Sequence, residues 1–270
     1  MLGPDAEIFD ALLRYDPSPS AYLGVGSFKT TTRAQLTFKG INFPNSGLGV
    51  LVRSQTKNGR MPVALKRPYR NKRGASGPGG RGGGKARLAY VEEEVAIFEE
   101  CKLLVWANSL LKVAYDFVTD FMHSHPSGAP PPFEILQFRF VAAGMAISQK
   151  LIDNGRSSTT NRAAYLLEEV LPGVESDFVK YLHNASAASE LSTDDPDYQL
   201  AQFLMFIQHV QYAITGGVAY VSDFQGTVQV FYLSQALTSL LGVGTCLTDP
   251  QILTSPYVRC CLPLKTQKDS

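Results

Sequence analysis

Three side chains suited to nucleotide chemistry stand at the ends of β-like runs. Lys66 closes VALK, Asp223 closes VAYVSD and Asp249 follows GTCLT, while Gly24 and Gly26 punctuate the alternating run YLGVGSFKTTTRAQLTFKG. A compact ammonium suits phosphate oxygens, carboxylate and amide oxygens are hard donors for Mg²⁺, and amides at a glycine turn can cradle phosphates. Phosphoryl transfer needs these parts together with an acid that orients the acceptor hydroxyl. Singly they are weak signals: a Gly-x-Gly is more often a tight turn, and a lysine at a strand end is more often merely solvated.

The elements that must position these groups follow from periodicity. A strand, a glycine turn at Gly24 and Gly26 and a returning strand are expected, then two further β-like runs, GVLVRSQ and MPVALKRPY, the second carrying Lys66. Residues 70–87 are basic, rich in glycine and poor in anything to bury, which predicts a disordered loop. Between 88 and 122, Ile97, Cys101, Leu104, Leu111, Tyr115, Val118 and Met122 recur on one face, and five glutamates crowd the N-terminal part, as the helix dipole favours. HSHPSGAPPP ends this long helix. Two strand-like runs follow, EILQFRFVAAGMAI and AYLLEEVL, separated by NGRSSTTNR as a loop. LAQFLMFIQHVQYAI then reads as a helix, and Gly216 and Gly217 turn the chain, in a hairpin, into the strand that delivers Asp223.

Composition bounds the rest. The 270 residues are 44% apolar with a net charge of +1, so a sizeable core is available in one large domain or two lobes and no global attraction to nucleic acid or anionic membrane exists. The basic glycine segment could touch RNA phosphates, but it lacks aromatic stacking partners, so a nucleic-acid partner is not expected. No run approaches a membrane span, and MLGPDAEIFDALLRY has neither a basic n-region nor an apolar h-region, so an intracellular, cytoplasmic setting is expected. Cys101, Cys246, Cys260 and Cys261 form neither a disulfide framework nor a Cys-x2-4-Cys zinc pair.

Ordinary protein kinases do not fit: no His-Arg-Asp loop precedes Asp223, no Ala-Pro-Glu follows, and DFQG is not DFG. The chain instead resembles the alpha-kinases, atypical serine/threonine kinases, and its fungal members most closely. The resemblance rests on GVGSFKT (24–30), VALKRPY (63–69), AYLLEEVLPG (164–173), FVKY (178–181), FIQHVQYAITGGVAYVSDFQG (206–226) and GTCLTDPQILTSP (244–256). It implies an α+β, two-lobed fold of the kinase type, with an N-lobe antiparallel sheet and long helix over 21–165 after a lead of 1–20, and a hinge and C-lobe over 166–270. It also implies transfer of the ATP γ-phosphoryl group to Ser or Thr of a protein substrate, with Mg²⁺. In that frame Asp223 accepts or orients the hydroxyl proton, Gln225 and Asp249 hold Mg²⁺, Lys66 contacts the α and β phosphates, and backbone around Glu168, Glu169 and Val170 reads the adenine. Glu168 or Glu169 could also pair with Lys66. The plain alternative for these glutamates is a solvated loop face.

Two departures bear on activity. TVQVFYLSQALTSLLG (227–242) has no counterpart in the family pattern, and its removal closes the text to DFQGVGTCLTDPQ, which reads as an unremoved intron. Such an insertion is expected either to loop out or to pull Asp249 away. The chain also ends in YVRCCLPLKTQKDS where the family continues into a Gly-rich loop and a His-x-Cys-x3-Cys run, so a truncated C-lobe is expected. Of the family's structural zinc ligands only His209 has a counterpart, which leaves zinc expected to be absent and His209 an unpaired histidine near the core. A pseudokinase that binds nucleotide or a partner without turnover is the corresponding alternative.

Overall fold

The computed structural model describes residues 8–39, 47–49, 51, 60–71, 85–125, 134–153, 158–171, 178–184, 186–189, 191–235 and 238–254. The chain falls into two compact units, residues 1–102 with 142–170, and 103–141 with 171–270. This is not a cut at one point: residues 103–141, which the sequence reading assigns to the first lobe, cluster with the second unit.

The first unit is built on an antiparallel sheet. Strands β1 (Ala11–Tyr15), β3 (Lys29–Phe38), β4 (Arg60–Asn71), β8 (Ser158–Glu169) and β7 (Ala143–Asp153) lie in the order β1-β3-β4-β8-β7, with β2 (Tyr22–Val25) beside β3 and β5 (Lys85–Arg87) beside β4. Period-two alternation sorts the side chains. Met61, Val63 and Leu65 of β4 join Ala163, Tyr165 and Leu167 of β8 and Ala34 and Leu36 of β3 in one apolar cluster. Lys66 and Glu168 occupy the alternate positions.

Helix α1 (Tyr90–Ser124) is continuous. Its Glu93 and Ile97 are fully buried, one turn apart. The Glu93 carboxylate takes Arg67 Nε at 2.5 Å, accepts the Ala164 N–H at 3.0 Å and has Arg87 at 3.6 Å. The helix is thereby tied to both central strands by charge-assisted bonds at a site sheltered from water. Glu93→Ala strands Arg67 and the Ala164 amide together. Because Arg67 is one-fifth exposed, a stability loss of about 2–3 kcal/mol is expected, read as a lower urea midpoint at unchanged slope.

Several local expectations are corrected. The loop expected over NGRSSTTNR is corrected in its second half: Ser158–Arg162 pairs with β7 as far as Asp153↔Ser158, while 154–157 lie outside the described residues. Residues 70–71 and 85–87 are paired strand (Arg70↔Ala86, Asn71↔Lys85), and the rest of the basic glycine segment lies outside the described residues. Gly24 sits in β2 at a register shift, and Gly26 alone opens the turn, its N–H donating to Lys29 O at 2.9 Å. Gly216 and Gly217, both at positive φ, end helix α2 (Tyr198–Ile214) and do not join two strands.

In the second unit, β6 (Phe138–Phe140), β12 (Thr238–Thr248), β11 (Gln225–Gln235) and β9 (Val179–Lys180) form one sheet, and β10 (Ala219–Ser222) pairs with β13 (Gln251–Thr254). Phe203 of α2 stacks on Phe138, and Phe224 on Phe140. The unmatched segment 227–242 is extruded as a hairpin arm whose register runs without a slip from Gln225↔Thr248 to Gln235↔Thr238. Asp249 is therefore not pulled away from Gln225. Among the described residues, no helix is long and apolar enough to cross a membrane.

Candidate active site

In the first unit, Lys66 Nζ meets Glu168 Oε2 at 2.8 Å with both side chains almost wholly buried. The β4–β8 register, Ala64↔Glu168 and Lys66↔Leu166, puts the two on one face as diagonal neighbours. Glu169 points the other way along the strand. Its carboxylate accepts the Ala142 N–H at 2.8 Å, and its own N–H donates to Ala142 O at 2.9 Å. The glutamates thus divide their work: Glu168 holds the lysine and Glu169 ties the strand end to the chain entering β7. Val170 follows at the last residue of this unit. Beside Glu168 lies Cys101, whose thiol is pushed up to about 11, by burial first and then by the Glu168 and Glu100 carboxylates. It stays protonated at neutral pH and acts as a packing group.

In the second unit, the chain crosses from β10 to β11 through Asp223-Phe224, and from β12 to β13 through Asp249-Pro250. The two crossings are bracketed by the same ladders, Ser222↔Gln251 on one side and Gln225↔Thr248 on the other. Both strands of a pair therefore change sheets at the same level. Each crossing opens on an aspartate in the left-handed region, Asp223 at φ 59° and Asp249 at φ 49°, and among the described residues these are the non-glycine residues with positive φ. Left-handed backbone at non-glycine residues is uncommon and aspartate tolerates it better than most. Strained positions of this kind gather at functional sites.

The surroundings hold Asp223 firmly. Its Oδ1 lies 2.6 Å from Lys180 Nζ, and Gln251 Nε2 donates to Oδ2 at 3.2 Å. Asn184 Nδ2 in turn donates to Gln251 Oε1 at 3.2 Å. Phe224, fully buried, anchors the crossing, and its carbonyl accepts the Tyr181 N–H at 2.9 Å. Gly226 is a close-approach glycine, since a Cβ there would lie 2.1 Å from Cys246 O. Helix α2 supports β10 with two buried glutamines: Gln208 donates to Val221 O and Gln211 accepts the Val221 N–H, both at 2.9 Å. A polar cavity of about 80 Å³ beside β10, bounded by Asn184, Gln208, Tyr220 and Ser222 among others, includes none of the acids.

The expectation of His209 near the core is overturned. It is exposed on α2, because Ile207, Gln208 and Gln211 take the buried positions of that turn. Among the described residues no group of three or more His, Cys, Asp and Glu could hold a metal ion. Sequence reasoning also missed Lys180, Gln251 and Asn184. Lys180 lies in FVKY and Gln251 ends TDPQ, but their partners are set by tertiary pairing.

The donor set at the paired crossings, two carboxylates with the Gln225 amide, is of the hard oxygen type that suits Mg²⁺. The buried Lys66–Glu168 pair offers a fixed cation of the kind that suits phosphate. No match was found among curated proteins. The model of the alpha-kinase family matches residues 93–261, more than half of the chain and including both aspartates, so the chain belongs to the alpha-kinase family.

Proposed function

We propose that the chain is an ATP-dependent serine/threonine protein kinase in which Asp223 accepts the proton of the substrate hydroxyl. The observation that carries this reading is the pair of left-handed aspartates at matched sheet crossings, which keeps two acids and Gln225 at one level of the fold. Gln225 and Asp249 would hold Mg²⁺, whose charge offsets that of the phosphate oxygens. Lys66, fixed by Glu168, contacts the α and β phosphates, and the backbone from Glu168 to Val170 reads the adenine. Gly24, at the register shift of β2, and the turn that Gly26 opens would lie over the phosphates. Lys180 and Gln251 keep the Asp223 carboxylate in one orientation, so little reorganisation is left for the reaction itself.

A second reading, nucleotide binding without turnover, is favoured by one observation: both Asp223 oxygens are already engaged. The two are separated by thermal denaturation with Mg-ATP followed by transfer from γ-labelled ATP to a protein acceptor. Mg-ATP at 100 times its Kd is expected to stabilise the chain by about 2.7 kcal/mol, and Lys66→Ala to remove most of that gain. A thermal shift without label transfer would select the second reading, and no shift at all would overturn both.

A further inference from the structure

One residue of β4 holds the turn that Gly26 opens. Tyr69 donates its backbone N–H to Phe28 O at 2.9 Å and its hydroxyl to Gly26 O at 2.6 Å, so two of the turn's carbonyls end on the same residue. A third tie comes from α1, whose Glu100 meets Lys29 Nζ at 2.7 Å where the turn runs into β3. Tyr69 is itself fixed: it pairs with Arg87 across the β4–β5 ladder, and Lys85 Nζ lies 4.9 Å from the centre of its ring. Lys66 stands three residues earlier on the same strand. An odd separation gives the two side chains to opposite faces of β4.

We propose that Tyr69 is a positioning residue for the nucleotide, acting through the turn and not by touching the phosphates; this rests on the kinase reading above, in which the turn lies over them. A trans peptide carries its N–H on the side opposite its C=O. Anchoring Gly26 O on the Tyr69 hydroxyl therefore turns the Ser27 N–H away from that hydroxyl and presents it as a donor, of the kind that receives phosphate oxygens at glycine turns. Without the hydroxyl the Gly26–Ser27 peptide can rotate, because glycine reaches backbone conformations closed to other residues. The main-chain bond from the Tyr69 N–H to Phe28 O remains, so strand pairing survives and only the direction of one donor is lost. In this way β4 serves phosphate recognition twice, through the Lys66 cation and through the hold of Tyr69 on the turn.

Calorimetric titration of the full chain and of Tyr69→Phe tests this, with Mg-ATP and with adenosine, a probe that has the base and sugar but no phosphate. Phenylalanine keeps the ring beside Lys85 and removes the hydroxyl alone. The expected result is Mg-ATP binding weakened about three- to tenfold, the usual worth of one hydrogen bond, with adenosine binding and the urea midpoint unchanged. KM for ATP should rise by the same factor while kcat stays within about twofold. The inference is overturned if Tyr69→Phe binds Mg-ATP as tightly as the parent, or if it loses affinity for Mg-ATP and adenosine alike, which marks a general structural role. A parent chain that binds no Mg-ATP would overturn the kinase reading itself, and the inference with it.

Discussion

Asp223→Asn is expected to lower phosphoryl transfer by about 10²- to 10⁴-fold while leaving the Mg-ATP thermal shift in place. Asparagine keeps the size of the side chain and tolerates the left-handed backbone that Asp223 adopts at φ 59°. It cannot take up a proton, and it leaves Lys180 facing a neutral group in place of the carboxylate it meets at 2.6 Å. Loss of turnover with retained nucleotide binding is the signature of a group that acts in the transition state and contributes little to ground-state binding. Asp223→Ala should show the same chemical defect plus a stability loss of about 1 kcal/mol, because alanine adopts left-handed backbone at greater cost. If Asp223→Asn turned over at the rate of the parent, Asp223 would not be the proton acceptor.

The second large effect is expected at Gly226. In place of hydrogen, a methyl group would sit 2.1 Å from Cys246 O, 2.9 Å from its carbonyl carbon and 3.1 Å from Leu247 Cα, all backbone atoms that no rotamer change can move. Gly226→Ala must therefore open the β11–β12 ladder at its root, next to the Gln225↔Thr248 pair. A stability loss of about 3 kcal/mol is expected, together with weaker Mg²⁺ dependence, since Gln225 and Asp249 lose their common level. Circular dichroism melting and a magnesium titration of activity read the two consequences separately. An alanine variant that melted with the parent would show that the strands separate there without cost.

Much of the fold was readable because its signals are local. The period of Ile97, Leu104, Leu111 and Val118 announced α1, and alternation around Val63 and Leu65 announced the strand that carries Lys66. Motif spacing pointed to Asp223 and Asp249. What could not be read was anything decided by pairing between distant segments. The sheet-switching geometry depends on β10 finding β13 and β11 finding β12, and nothing in DFQG or TDPQ alone states that both aspartates turn left-handed at the same level. Lys180 and Gln251 were in quoted motifs, yet their grip on Asp223 is a tertiary contact. His209 was misplaced because its neighbours Gln208 and Gln211 are buried polar residues, held by hydrogen bonds to Val221 that an apolar-periodicity argument does not see. Ser158–Arg162 looked like a loop from its polarity, whereas its pairing with β7 makes it strand. Glu168 and Glu169 could not be ranked as partners for Lys66 until the β4–β8 register put Glu168 on the lysine's face.

The proposed reading requires Lys66 and Asp249 to act on one nucleotide. Calorimetric titration of ATP with and without Mg²⁺, on the parent chain and on Lys66→Ala and Asp249→Ala, tests that requirement most directly. The account predicts that Mg²⁺ tightens ATP binding in the parent, that Asp249→Ala loses the metal-dependent gain alone, and that Lys66→Ala weakens binding in both conditions. ATP binding that is absent, or equal with and without Mg²⁺ and unchanged by either substitution, would contradict it.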